Sequence, residues 1–284
     1  MSKINNKIQC SVIVPVYNQY NSLCKVLPLF NHQRFPLSQF EVILVDDGST
    51  DELKNICKED LTLDLHFHFH MVKQQNSGRA AARNAGVRHA QGKRLIFCDV
   101  DRLPHPGFIQ EHMHESTGII VGASYDFFGN HKVFDAGRLD WPAISKSSRL
   151  SAYQKKVTNM YGQTRESQSP LAWLGFLVGN ASMPQLLFYQ AGCFNIGFNT
   201  WGFEHFELAL RCQLQGASFS YNPHAMNYHI PHPREHNFYT TMIQKNCQFL
   251  QTIYPTLNTA LIERLLLTDL PFSEAEKEKI GIVL

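Results

Sequence analysis

No hydrophobic run in this chain approaches the ~20 apolar residues of a membrane span. The apolar stretch after Met1–Lys7 is short and is broken by Pro15 and Asn18, so no transmembrane segment is expected and the chain reads as soluble, with peripheral membrane contact left open. Cys-x-x-Cys is also missing. The seven cysteines, Cys10, Cys24, Cys57, Cys98, Cys193, Cys212 and Cys247, are scattered and odd in number, which argues against a disulfide framework and predicts a reducing, cytoplasmic compartment. There is no long basic block: the net charge of +2 is spread over both signs, so no nucleic-acid partner is expected, whereas small anions remain open. Internal repeats and low-complexity tracts are absent. What is present, 44% hydrophobic residues over 284 positions, suffices to bury a large core as one α/β domain or two closely joined subdomains.

The first hundred residues alternate strand and helix signals. Cys10 to Tyr17 is a β-branched run stopped by polar residues, and Asn21 to Phe30 has helical spacing through Leu23, Val26, Leu27 and Phe30. Phe40 to Val45 predicts a second buried strand, ended by Asp46-Asp47-Gly48-Ser49-Thr50-Asp51, whose turn residues open a helix through Leu53 and Ile56. His66 to Val72 alternates strictly, as a half-buried strand does, with His66, His68 and His70 on a solvated face. Gln75-Asn76-Ser77-Gly78 then leads into an alanine-rich helix, Arg79 to Ala90, ahead of a fourth strand, Arg94 to Cys98.

Strands separated by short helices predict a Rossmann-like, mostly parallel central sheet flanked by helices, with ligands outside the carboxyl ends of the strands. Further on the pattern gives a helix and a strand at Gly118 to Ser124, polar loops with a helix over 131–170, and a strand at Leu177 to Met183. Helices follow from Pro184 and over Glu204 to Gln215, and segments near Phe238 to Ile253, Thr259 to Leu267 and Ser273 to Ile280 form a helical C-terminal tail.

The expected sheet edge gathers carboxylates. Asp99-Val100-Asp101 stands where the buried run Arg94 to Cys98 ends, and two carboxylates one residue apart at a strand end can converge on one hard cation holding a diphosphate. Alone, such a pair equally caps a turn. Asp46 and Asp47 end the second strand, Pro15 and Tyr17 the first, and Arg79 opens a helix whose free amides suit a phosphate. Arg83 lies one turn later on the same side, and one of the two arginines is expected to be structural.

In order along the chain, Val12-Ile13-Val14-Pro15-Val16-Tyr17-Asn18, Val45-Asp46-Asp47-Gly48-Ser49-Thr50-Asp51, Asn76-Ser77-Gly78-Arg79-Ala80-Ala81-Ala82-Arg83-Asn84-Ala85-Gly86 and Asp99-Val100-Asp101 resemble the four signatures of family 2 glycosyltransferases of the GT-A fold. Gly179-Asn180-Ala181-Ser182, Ala191-Gly192-Cys193-Phe194-Asn195 and Trp201-Gly202-Phe203-Glu204-His205-Phe206-Glu207-Leu208 resemble the acceptor side of galactosyl- and N-acetylgalactosaminyltransferases. The resemblance implies a nucleotide-sugar donor, most simply a UDP-sugar, with the uracil on Asp47. Pro15, Tyr17, Asp46, Arg79, Asp99, Val100 and Asp101 complete the implied donor site. It further implies Mn²⁺ or Mg²⁺ on Asp101, Asp99 and the distant His229.

On the acceptor side, Trp173 and Trp201 are candidates to stack on a sugar ring, with Asn180 and Gly202 beside them. Inverting relatives place an Asp base where this chain has His205, so the base is expected to be Glu204 or His205. The division expected is 1–104 for the donor half, 105–230 for the acceptor and catalytic half, and 231–284 for the helical extension. The function expected is metal-dependent transfer of a sugar to an acceptor hydroxyl, with inversion favoured and retention left open, since Trp201 to Arg211 resembles some retaining relatives too. The acceptor's class (glycan, lipid-linked, peptide or small molecule) and the oligomeric state are left open. A non-catalytic nucleotide-sugar-binding subunit and a nucleotidyltransferase are the rival readings; the first is favoured by His205, the second is weakened by the lack of a Gly-rich phosphate loop.

Overall fold

The structure, a computed structural model, describes residues 7–56, 60–61, 64–114, 117–130, 133, 139–162, 165–231, 237–276 and 280. Among these residues ten strands form one sheet. They are β1 (Cys10–Val16), β2 (Phe40–Asp46), β3 (His68–Lys73), β4 (Arg94–Cys98), β5 (Arg102–Pro104), β6 (Ile119–Phe127), β7 (Ser148–Leu150), β8 (Glu166–Ser167), β9 (Asn180–Pro184) and β10 (Phe219–His229). The main order is β3-β2-β1-β4-β9-β6-β10-β5, with β7 on β6 and β8 on β10. β1, β2, β3 and β4 pair in parallel, as do β6 and β10, while β9 runs antiparallel between β4 and β6. The sheet therefore crosses the expected boundary at residue 104 without interruption.

The helices are α1 (Tyr20–Val26), α2 (Arg79–Arg88), α3 (Phe108–His112), α4 (Trp141–Lys146), α5 (Ala152–Asn159), α6 (Gln185–Gln190), α7 (Glu204–Leu214), α8 (Phe238–Ile253), α9 (Thr259–Leu267) and α10 (Phe272–Ala275). Alternation along β1 and β2 divides the core: Ile13, Ile43 and Val45 join one apolar cluster, and Val12, Val14, Val42 and Leu44 the other. Small residues bring α2 close to the sheet, since a Cβ on Gly86 would stand 2.7 Å from Ile13. The tail belongs to the first cluster through Leu250, Leu261, Ile262, Leu265 and Phe272. Among the described residues no helix is long and apolar enough to cross a membrane.

Several expectations shift. The helix expected after Asp51 is one 3₁₀ turn, Glu52–Asn55, capped by the Asp51 carboxylate accepting from Leu53 N–H. β3 starts at His68, and His66 precedes it. β6 runs three residues past Ser124, because Tyr125, Asp126 and Phe127 pair with β7. The strand expected from Leu177 begins at Asn180, whose N–H closes a turn onto the Leu177 carbonyl.

Candidate functional site

Asp46, Asp47, Asp99 and Asp101 stand at or just beyond the carboxyl ends of β2 and β4, the edge where an open α/β sheet holds its ligands. Asp46 accepts from Ser49 N–H, an Asx turn that shapes the loop after β2. The Asp47 carboxylate reaches across to the loop before α2. It accepts from Gln74 Nε2 and Ser77 N–H on Oδ1 and from Gly78 N–H on Oδ2. Its N-capping role is thus transferred to a loop in another part of the chain. Pro15 is half-buried, Tyr17 is 48% exposed, and Arg79, at the start of α2, is exposed. Val100 is 2% exposed and its side chain lies in the core, so it supplies spacing and offers no side chain to a ligand.

Arg83 occupies the centre. It is fully buried; Nη2 donates to Asp99 Oδ1 at 2.8 Å and Nη1 to Glu204 Oε1 at 2.7 Å, 16 and 121 residues away. Burial works against its charge, but the two carboxylates hold the guanidinium above its ordinary pKa. Phe194 lies beneath it, 5.8 Å from ring centroid to Cζ. The sequence shows an arginine one turn beyond Arg79; only the fold reveals that it joins Asp99 to Glu204.

Glu204 and His205 open α7 after Gly202 and Phe203, both at positive φ (86° and 72°). A bulky residue in the left-handed region is strained, and this strained turn immediately precedes the first turn of α7, where Glu204 meets Arg83. Burial pushes the Glu204 carboxyl up, yet His205 and Arg83 bring it down to about 2. His205 is the more open of the two, with 12% of its side chain exposed against 2% for Glu204.

Asp101 meets His229 at the end of β10. Ile230 N–H donates to the Asp101 carbonyl, and His229 Nε2 stands 3.6 Å from Asp101 Oδ2. His229 Nδ1 contacts Asp126 Oδ1 at 2.9 Å, and this hydrogen bond holds Asp126 below the usual carboxylate range. Burial disfavours the imidazolium, but Asp101 and Asp126 raise His229 above its ordinary pKa. Asp126 is a site residue the sequence pattern missed, since it lies past the strand end expected at Ser124.

Among the described residues no group of three or more His, Cys, Asp or Glu side chains is arranged to hold a metal alone. Asp101 and His229 do bring a carboxylate oxygen and an imidazole nitrogen side by side, a donor pair that suits Mn²⁺ or Mg²⁺ completed by phosphate and water oxygens. Asp99 is turned to Arg83 through Oδ1.

Two acceptor-side expectations are corrected. Trp173 is fully buried against Phe206 and presents no face to a sugar. Asn180 is fully buried too: Nδ2 donates to the carbonyls of Ala123 and Ala225, and Oδ1 is 2.8 Å from His112 Nε2, which saturates the amide inside the sheet. Trp201 is half-buried between Phe238 and Tyr239 of α8, and Gly202 is buried.

The sequence profile described as glycosyl transferase family 2 matches residues 11–165. The validoxylamine A glucosyltransferase of Streptomyces hygroscopicus subsp. jinggangensis is 25% identical over 87% of this chain and 61% of its own length. The chondroitin synthase of Escherichia coli is 26% identical over 86% of this chain and 38% of its own. The chain thus spans about three fifths or less of these relatives. Among solved structures, the Pyrobaculum calidifontis mannosyltransferase PcManGT in complex with GDP-Man and Mn²⁺ superposes with TM-score 0.61 over 94% of this chain and 78% of that one, at 17% identity. S. aureus TarS 1-349 in complex with UDP-GlcNAc gives 0.59 over 94% and 69%, at 18% identity. The fold is therefore GT-A, and the chain belongs to glycosyl transferase family 2.

Proposed function

We propose that this chain transfers a sugar from a UDP-sugar to an acceptor hydroxyl with inversion, in a metal-dependent reaction. The observation that carries the reading is the Asp99–Arg83–Glu204 clamp, which brings the donor carboxylates and the Trp-Gly-Phe-Glu-His turn into one buried centre. The nucleotide lies along Pro15, Tyr17, Asp46, Asp47 and Arg79, and Asp99 faces the ribose. Asp101 and His229 would hold the cation, which would supply charge neutralisation to the departing diphosphate.

His205 acts as the base, because Glu204 Oε1 is engaged by Arg83 and His205 is the more open of the two, with 12% of its side chain exposed against 2%. The acceptor hydroxyl gives its proton to the imidazole as its oxygen bonds to the anomeric carbon, and the C–O bond to the diphosphate breaks with its electron pair leaving on oxygen. Trp201 and Gly202 border the acceptor, which we place in the galactosyl- and N-acetylgalactosaminyltransferase-like class. Six free cysteines among the described residues support action in a reducing, cytoplasmic compartment.

The test is nucleotide release from UDP-glucose, UDP-galactose, UDP-GlcNAc, UDP-GalNAc and GDP-mannose, with Mn²⁺ or with chelator. Mn²⁺-dependent UDP release, lost in Asp101→Ala with the fold retained, is expected. Pyrophosphate as product would instead indicate a nucleotidyltransferase, and nucleotide binding without turnover a non-catalytic subunit, the reading His205 favours.

A further inference from the structure

Two buried polar atoms on the acceptor side of the centre have no hydrogen-bond partner among the described residues: Glu204 Oε2 and His205 Nδ1. Nδ1 stands 3.6 Å from Glu204 Oε1, just outside hydrogen-bonding range. A buried carboxylate oxygen and a buried ring nitrogen are costly to leave unpaired, and hydrogen bonds at unliganded active sites are often long and tighten on binding. A shift of under about 1 Å closes this one.

The carboxylate is held from behind. Arg83 places one arm on Glu204 and the other on Asp99, and its planar guanidinium fixes the two donors relative to each other. Glu204 is therefore oriented by a residue whose other arm lies on Asp99. A lysine ammonium, with one nitrogen, cannot reproduce the fork. Phe194 backs the guanidinium and is itself fixed by Asn84, whose Nδ2 donates to the Phe194 carbonyl while its Oδ1 accepts the Phe194 N–H.

We propose that Arg83 is a positioning residue: through Glu204 it holds His205 as the Nδ1–H tautomer, leaving Nε2 as the atom that takes the acceptor's proton. The inference rests on the reading of His205 as base. It adds that the base is set by a cation whose other arm lies on the donor side, so the imidazole is oriented through a contact with Asp99.

The test combines a spectrum with a mutant cycle. Histidine ¹⁵N–¹H correlation spectra at pH 8, with His205 assigned by loss of its signals in His205→Ala, are expected to show Nδ1–H in the parent and a switch toward Nε2–H in Arg83→Lys and Arg83→Gln. With the UDP-sugar that gives the fastest UDP release, Arg83→Lys is expected to lower kcat roughly 10- to 100-fold with donor KM changed less than about threefold. In the His205→Ala background the same substitution should change kcat less than about twofold. Thermal melting checks that each variant is folded, and the conservative lysine variant keeps the test open if Arg83→Gln is not. An Nε2–H parent, an unchanged tautomer in Arg83→Lys, or an undiminished loss in the His205→Ala background overturns the proposal. A parent that turns over no UDP-sugar overturns the functional reading instead, while the tautomer spectra still decide the role of Arg83.

Discussion

Asp47 Oδ2 accepts the backbone N–H of Gly78 at 2.9 Å, so the carboxylate that ends β2 closes the loop from which α2 starts. With Gln74 Nε2 and Ser77 N–H on its other oxygen, this side chain organises the whole of residues 74–78. Gly48 beside it has φ 77°, and a Cβ there would meet Asn76 N at 2.6 Å. Asp47→Ala is expected to cost about 1–2 kcal/mol in urea unfolding, since it strips charge-assisted acceptors from three partly buried donors. Hydrogen exchange at Gly78 should quicken in the same variant; an unchanged midpoint and exchange rate would contradict the assignment.

A methyl group at Gly179 would approach Asp99 Oδ2 to 3.0 Å and Arg102 Nε to 3.4 Å. Gly179→Ala should therefore displace Asp99 on the donor side while leaving the core unaltered. The expected result is UDP affinity, by calorimetric titration with Mn²⁺, weakened roughly tenfold with a stability change within about 1 kcal/mol. Equal affinity in variant and parent would show that Asp99 has no part in nucleotide binding.

His112 is fully buried between Ser182 Oγ and Asn180 Oδ1. Asn180 spends its amide hydrogens on two carbonyls, so its oxygen takes the His112 Nε2–H, and Ser182 donates to Nδ1 while accepting from Arg94. Burial pushes this imidazole down from 6.5 to about 3. The unfolded chain then binds a proton below pH 6.5 that the folded chain refuses until about pH 3, so the stability carried by neutral His112 is complete above 6.5 and lost on acidification through that window. The slope from this one group is about 1.4 kcal/mol per pH unit. Chemical denaturation from pH 7 to 4 should show a limb shallower by one proton in His112→Gln than in the parent; parallel limbs would mean that His112 is charged in the fold.

The two tryptophans proposed for sugar stacking should separate cleanly. Trp173→Ala removes a fully buried ring from the core and is expected to cost about 3–5 kcal/mol. Trp201→Ala touches a half-buried ring beside α8 and should alter acceptor use with a smaller loss of stability. Melting curves and UDP-release assays on both variants check the split, and a marked stability loss at Trp201 alone would reverse it.

The sheet edge carrying Asp46, Asp47, Asp99 and Asp101 was legible because β-branched runs ending in Asp or Asn mark strand ends directly, and the near-continuous burial of β1 and β2 follows from their apolar runs. Arg83 was visible as a residue type, but its partner Glu204 lies 121 residues away, and no local pattern encodes that meeting. Strand direction was equally hidden: β9 has the composition of a buried strand whichever way it runs. Asn180 and Trp173 were assigned to the acceptor because a polar or aromatic type fits that chemistry, whereas burial against His112 and Phe206 decides which face each side chain takes. Asp126 fell outside because an aromatic residue, Tyr125, continues β6 beyond the last small polar residue.

Because β9 is inserted antiparallel between β4 and β6, the sheet portion within residues 1–104 has no finished edge of its own at β4. A fragment ending at residue 104 would bare β4, all five of whose residues are buried, as a sticky apolar margin prone to pairing with other chains. The two halves are thus not cassettes that recombination can exchange. A new ligand preference has to arise by substitution within loops around a shared sheet, and the Arg83 clamp requires that changes near Asp99 and near Glu204 remain compatible with one buried cation.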